Sequence, residues 1–448
     1  MTLKPGTAAP DLARYHQALD GLETVRLAGR VAQVVGLTIE GQGLDCQVGE
    51  VCEIQPRGQA PLQAEVVGFR DQRALLMPLG EMRGIQAGSP IHPLRTVFRA
   101  PVGTRLLGRV LDGLGRPIDG RGPLGDGPTA PIQAAAPHPL RRQLISEPLV
   151  TGVRAIDGML TCGKGQRMGI FAGSGVGKST LMGVIARSSQ SDVSVIGLVG
   201  ERGREVQEFI ERDLGKAGLA RSVVVVSTSD QPALVRLRAA WVATTIAEHF
   251  RDQGLDVTFL MDSVTRFAMA QREVGLAIGE PPASKGYTPS VFALLPQLLE
   301  RAGTGERGSV TGFFTVLVEG DDFNEPICDA VRSILDGHIM LTRELAARNH
   351  YPAIAVLDSI SRVMPAVTSQ AHREHAGHVR KLLATYEKAR DLVNIGAYVP
   401  GSDPNIDAAL QALPRMTSFL QQGVEFSPLD ETLRGLAEID LESSRRAA

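Results

Sequence analysis

Three regimes of hydrophobic patterning follow one another along the chain. Leu12, Tyr15, Leu19 and Leu22 recur at helical spacing. They predict an amphipathic helix within residues 1–22, either packed on its own domain or docking a partner. Short alternating runs broken by glycine follow, at residues 30–35, 64–69 and 74–77. They predict a small β-barrel or sandwich over residues 23–97. The pattern then changes to near-continuous apolar runs at 167–171, 193–199, 223–226, 257–261, 313–318 and 353–357, alternating with helical stretches such as 204–216 and 232–253. Strands apolar on both faces belong to a parallel sheet buried beneath helices, an α/β architecture, here expected over residues 98–375. Residues 376–448 read as a helical domain, with helices at 378–391 and 405–421. Residues 113–148 hold six glycines and seven prolines in 36 positions, so they predict an irregular connection wrapping the next domain.

Composition narrows the class. The chain has 448 residues, 43% of them hydrophobic and 21% charged, which excludes a disordered chain. No run approaches the ~18 uninterrupted apolar residues of a spanning helix, and the N-terminus carries no secretory or transit pattern. A net charge of −2 supplies no global attraction to nucleic acid or anionic lipid. Four cysteines without a C-x-x-C pair point to reduced thiols. His372, His375 and His378 fall on a helix and read as a solvated face rather than a metal site.

Chemistry concentrates after the run at 167–171. There Ala172-Gly173-Ser174-Gly175-Val176-Gly177-Lys178-Ser179-Thr180 leads into an apolar helix. This is a Walker A phosphate loop with alanine in place of the first glycine. Glycines let backbone N–H groups curl around phosphate oxygens, and the helix N-terminus adds its dipole. Lys178 suits the β- and γ-phosphates, and the Ser179 hydroxyl suits Mg²⁺. A second metal carboxylate is expected from a neighbouring strand tip, and residues 257–261 end in Asp262, a Walker B pattern. Glu201, at the end of 193–199, can orient and deprotonate a water; its alternative is a surface glutamate paired with Arg202 or Arg204.

Beyond the phosphate loop, four stretches resemble the catalytic subunits of the rotary ATP synthase alpha/beta and type III protein export ATPase superfamily: residues 111–120, 147–157, 200–206 and 358–362. The resemblance spans roughly residues 25–440. Residues 171–179, 318–326 and 335–338 are most similar to the export branch, and the acidic C-terminal lever of the ATP synthase β-subunit is absent. Flagellar and virulence members share these motifs, and the flagellar reading is preferred.

The resemblance implies a P-loop, RecA-like ATPase core carrying an N-terminal small β-barrel and a C-terminal helical domain, assembled as a homohexamer. It implies that Glu201 is the catalytic carboxylate, with Arg202 near the γ-phosphate and Asp262 in the outer shell of Mg²⁺. Arg362 becomes an arginine finger completing the next subunit's site, the alternative being a strand-end ion pair. Tyr351 stacks on adenine and Phe419 closes its other side. Arg266 is structural or interfacial, and Trp241 is core. Implied partners are a stator-like regulator at the N-terminus, a coiled-coil stalk in the pore, export substrates with their chaperones, and the export gate at the membrane, against which this cytoplasmic protein works peripherally. Two rivals remain. A Rho-type RNA translocase needs stacking aromatics on its barrel, where residues 25–95 offer only Phe69. A non-catalytic nucleotide-binding ring subunit has no need of Glu201.

Overall fold

The computed structural model describes residues 28–318, 322 and 325–447. The expected helix within residues 1–22 lies outside them, as does part of the 318–326 stretch. Internal contacts divide the chain into two units, one ending at Val97 and one beginning at Phe98.

The first unit is a closed barrel of β1 (Gly29–Val35), β2 (Thr38–Gln42), β3 (Glu50–Ile54), β4 (Leu62–Arg70), β5 (Arg73–Pro78) and β6 (Pro90–Val97), ordered β1-β2-β5-β4-β3-β6. Closure removes sheet edges, so the barrel form prevails over a sandwich. Its core is Val31, Ile39, Ile54, Val66, Leu76 and Ile91. The alternating runs marked β1, β4 and β5. Strands β2, β3 and β6 carry glutamates or prolines that blur alternation in sequence.

The second unit is built on a sheet of β7 (Val110–Asp112), β8 (Arg167–Ala172), β9 (Val193–Glu201), β10 (Ser222–Thr228), β11 (Asp256–Asp262), β12 (Ser309–Leu317), β13 (Gly337–Leu341) and β14 (Ile360–Ser361). Their order is β14-β13-β8-β12-β11-β9-β10-β7, parallel except for β14. Parallel pairing needs crossovers, supplied among others by α1 (Lys178–Ser188), α2 (Ala233–Asp252) and α3 (Val264–Ala277).

Several expectations are corrected. Residues 353–357 are not a strand: Ile354 makes one bridge to Leu341, and Val356–Asp358 is a 3-10 turn. Pro352 has no N–H to donate, and the Ile354 N–H turns back to the Pro352 carbonyl at 2.8 Å. The helix expected at 204–216 is interrupted by wider π-type turns at Phe209–Leu214, before Gly215 at φ +66°. The histidines do not form a solvated face. They lie on α4 (Gln370–Asn394), which packs with α5 (Pro404–Leu420) and α6 (Leu429–Ala447). His372 is buried and donates to the Gly158 carbonyl at 2.8 Å, while His375 meets Asp440 of α6 at 2.6 Å. Val379, Met416, Leu436 and Ile439 join the core that holds Ile156 and Met159.

Candidate active site

β8 is buried from its second residue to its last, Ala172, which pairs with Leu317 and Leu341. Ala172 takes ordinary strand backbone, so alanine serves where the strict motif has glycine. The turn that follows does need glycine. Gly175 and Gly177 have φ of +80° and +85°, and open space surrounds the position a Gly175 side chain would take. Gly177 caps α1, whose first-turn N–H groups face the turn. This is a concave, N–H-lined cradle for an anion.

Lys178 leaves the first turn of α1 toward two carboxylates. Its Nζ lies 2.5 Å from Asp262 Oδ1 and 3.6 Å from Glu201 Oε1. Asp262 ends β11, which is not next to β8: β12 runs between them, and its Thr315 hydroxyl donates to Asp262 Oδ1 at 2.6 Å. Glu201 ends β9, one strand further on. Gly200, at φ +74°, turns the chain just before it, with Arg266 Cβ packed where a side chain would stand. Burial, then the charge of Asp262, raise the Glu201 carboxyl to about 7 against the pull of Lys178. Burial works against the Lys178 charge, but Asp262 and Glu201 outweigh it and hold the ammonium above its ordinary range. Glu201 is not paired with the neighbouring arginines. Arg202 is exposed and reaches Glu205 at 3.3 Å, and Arg204 reaches Glu208 at 3.1 Å.

Beside the cradle lies a cavity of about 390 Å³ lined by Val153, Gly177, Thr180, Leu181, Tyr351 and Val424, among others. The Tyr351 ring stands against Gly177. Gln422 also lines it; its N–H donates to the Tyr351 carbonyl at 2.8 Å, and its side chain bonds the Arg154 N–H and the Gly152 carbonyl. Phe419 does not line this cavity, contrary to expectation. It is buried against Gly158, Thr432 and Gly435, because the chain leaves α5 at Leu420 and only the residues beyond turn toward Tyr351. Val153 and Leu181 sit in or beside stretches already singled out but had no role assigned to them; Thr315 and Gln422 were not foreseen, and each acts through a fold contact that no motif marks.

Arg362 is exposed and stands apart. Its N–H donates to the Asp336 carbonyl at 3.0 Å, and its guanidinium reaches the Leu335 carbonyl at 3.4 Å rather than a carboxylate. The Asp336 side chain grips Arg167, the first residue of β8. Arg362 is therefore at the N-terminal end of the strands, whereas Lys178 is at the C-terminal end. The six residues of β8 separate the two ends by about 20 Å.

Comparison with known proteins accords with this arrangement. Residues 152–361 match the ATP synthase alpha/beta family, nucleotide-binding domain, and residues 31–95 match that family's beta-barrel domain. The chain belongs to the ATP synthase alpha/beta family. Residues 368–438 match the T3SS EscN ATPase C-terminal domain, which places this member in the type III export branch. The flagellum-specific ATP synthase of Bacillus subtilis is 55% identical over 415 residues, covering 92% of this chain and 94% of that protein. The type 3 secretion system ATPase of Xanthomonas euvesicatoria is 53% identical over 416 residues, with the same coverage of 92% and 94%. The assembled ATPase EscN of the enteropathogenic E. coli type III secretion system superposes with a TM-score of 0.88 at 46% identity, covering 92% of this chain and 99% of that one. EscN in complex with its central stalk EscO gives 0.85 at 45% identity. This alpha/beta family member is an ATP-hydrolysing enzyme, and the Rho-type and non-catalytic readings are set aside. Among the described residues no helix is long and apolar enough to cross a membrane.

Proposed function

We propose that this alpha/beta family ATPase drives flagellar protein export from the cytoplasmic side of the membrane, as a homohexamer whose sites are shared between neighbours. The observation that carries the catalytic reading is the Lys178 ammonium set between Asp262 and Glu201 at the mouth of a glycine cradle. In it, the cradle N–H groups of residues 173–180 and Lys178 bind the β- and γ-phosphates of ATP. Glu201, its carboxyl near 7, orients the attacking water and accepts its proton as the bond from γ-phosphorus to the bridging oxygen breaks. The site fits Mg²⁺: Glu201 Oε1 is buried with no hydrogen-bond partner, and Asp262 brings a second carboxylate to the same Lys178 ammonium. Ser179 would ligate the ion and Asp262 would act through its outer shell; when bound, Mg²⁺ supplies charge neutralisation on the phosphates. Tyr351 stacks on the base.

Arg362 serves a neighbouring copy in this reading, because its own strand length keeps it from its own site. Arg202 lies on the exposed rim near the γ-phosphate side. A stalk inside the ring, of the kind named in the EscN–EscO structure, an N-terminal regulator, chaperoned substrates and the export gate are the partners it would engage.

Mixed assemblies test the catalytic reading. Arg362→Ala alone is expected to lose about 10³-fold in turnover or more. Mixing it with Lys178→Ala chains, themselves inactive, is expected to restore part of the activity, since intact halves then meet at shared sites. Absence of any recovery in co-assembled rings overturns the shared site. For the pathway, deletion of the gene is expected to abolish filament assembly and swimming. Loss of injected-effector secretion with swimming intact supports the virulence reading, which the 53% identity to the Xanthomonas protein keeps in view.

A further inference from the structure

Leu140 and Leu144 are the most exposed large apolar side chains among the described residues, at 90% and 91%. Their loop is firmly held. The turn Pro139–Arg141 is capped by His138 Nδ1, which accepts from the Leu140 N–H at 3.2 Å. Arg142 donates to the carbonyls of Ala302 and Glu300 at 2.9 and 2.5 Å. The Gln143 N–H donates to the Gly305 carbonyl at 3.2 Å, and the Thr304 hydroxyl donates to the Gln143 carbonyl at 2.7 Å. A backbone fastened on both sides of two outward leucines presents them to something other than water.

The loop's position says to what. Thr304 pairs with Ser309, the first residue of β12, so the loop lies at the N-terminal end of the parallel strands. Ile145, next to Leu144, meets Val363 over Gly163. Val363 directly follows Arg362. The leucine loop and the arginine thus lie at the same end of the sheet, linked through Ile145 and Val363, and this face must meet a second copy if Arg362 is to complete another site.

We infer that Leu140 and Leu144 are the apolar anchor by which this face docks on a second copy of the chain. This rests on the shared-site reading proposed above. Two exposed leucines at the same end of the sheet as a charged finger give what an assembly contact needs: apolar area to desolvate and a polar group held in register. Neither leucine lines the cavity beside the glycine cradle, so their effect is on assembly and not on chemistry.

The test is the full-length Leu140→Ser/Leu144→Ser double variant, with oligomeric state by sedimentation and specific activity followed over protein concentration. Exposed leucines leave no cavity, so thermal unfolding of the dilute chain is expected to be unchanged. The concentration at half-assembly is expected to rise roughly 10-fold or more, while activity per assembled chain reaches the wild-type plateau. An unchanged assembly midpoint overturns the inference, and so does loss of binding to anionic-lipid vesicles with assembly intact, which assigns the loop to a membrane surface. Failure of the shared-site reading looks different: dilute monomeric wild-type protein then hydrolyses ATP at the full rate whatever the loop carries. Single substitutions report each leucine separately if the double variant is poorly soluble, and neither moving the midpoint also overturns the inference.

Discussion

Lys178 and Asp262 meet at 2.5 Å although 84 positions and one whole strand separate them. The intervening strand contributes as well, since Thr315 fixes the same Asp262 oxygen that Lys178 engages. Asp262→Asn keeps the size of the side chain and removes its charge. Turnover is expected to fall by about 10²-fold or more, because the charge arrangement is set before substrate arrives. Steady-state hydrolysis checks this; a variant within two-fold of wild type removes Asp262 from the reaction.

The pH profile follows from Glu201. Its carboxyl sits at about 7, so below that pH it is protonated and cannot take a proton from water. kcat/KM for ATP is expected to rise through an acid limb near pH 7 and to lose that limb in Glu201→Gln, along with most of the rate. Measurement from pH 5.5 to 9 decides it, and an unshifted limb in the variant assigns it to another group.

The same shift predicts stability. A carboxyl raised from 4.5 to about 7 binds its proton more tightly when folded, so its ionised form opposes folding. The penalty is absent below pH 4.5, grows between 4.5 and 7, and is complete above 7. Glu201→Gln is therefore expected to melt higher than wild type at pH 8, with the difference vanishing toward pH 4.5. Equal melting curves at both pH values contradict it.

Tyr351 lines the cavity against Gly177, and neither Asp262 nor Glu201 is part of that lining. Tyr351→Ala is expected to raise KM for ATP about 10-fold with kcat little changed, and Tyr351→Phe to behave as wild type, since stacking uses the ring and not the hydroxyl. A fall in kcat at unchanged KM argues against a base contact.

Arg301 is 1% exposed and is held by Glu248, Thr245 and the Ile132 carbonyl beneath Trp241. Glu248→Ala leaves this guanidinium charged and unpaired, and is expected to cost about 3–5 kcal/mol by denaturant unfolding. Replacing both residues, Arg301→Met with Glu248→Leu, is expected to recover most of the loss. No recovery means that Arg301 contributes mainly through its carbonyl and Thr245 bonds.

Local information marked the strands that position the candidate site. The apolar runs at 167–171, 193–199 and 257–261 became β8, β9 and β11, and each ends on the residues singled out for chemistry. That works because a buried parallel strand must be apolar along its length and can carry polar groups only at its tip. The run at 353–357 misled, since an apolar stretch after Pro352 looks like a strand and folds as turns. Phe419 misled too, because which side of a helix end faces a cavity depends on where the helix stops.

By itself the sequence determined the cradle: glycines at the required backbone angles, Lys178 at the helix start, and carboxylates closing two later strands. Those features depend on neighbours within a few residues, and so they are written locally. Tertiary structure alone decided that β12 would pass between β8 and β11, that Gln422 rather than Phe419 would border the cavity, and that Arg362 would stand at the far end of the sheet. Strand order and helix packing are settled by contacts between residues hundreds of positions apart, through the burial of a shared core, and no local pattern encodes them.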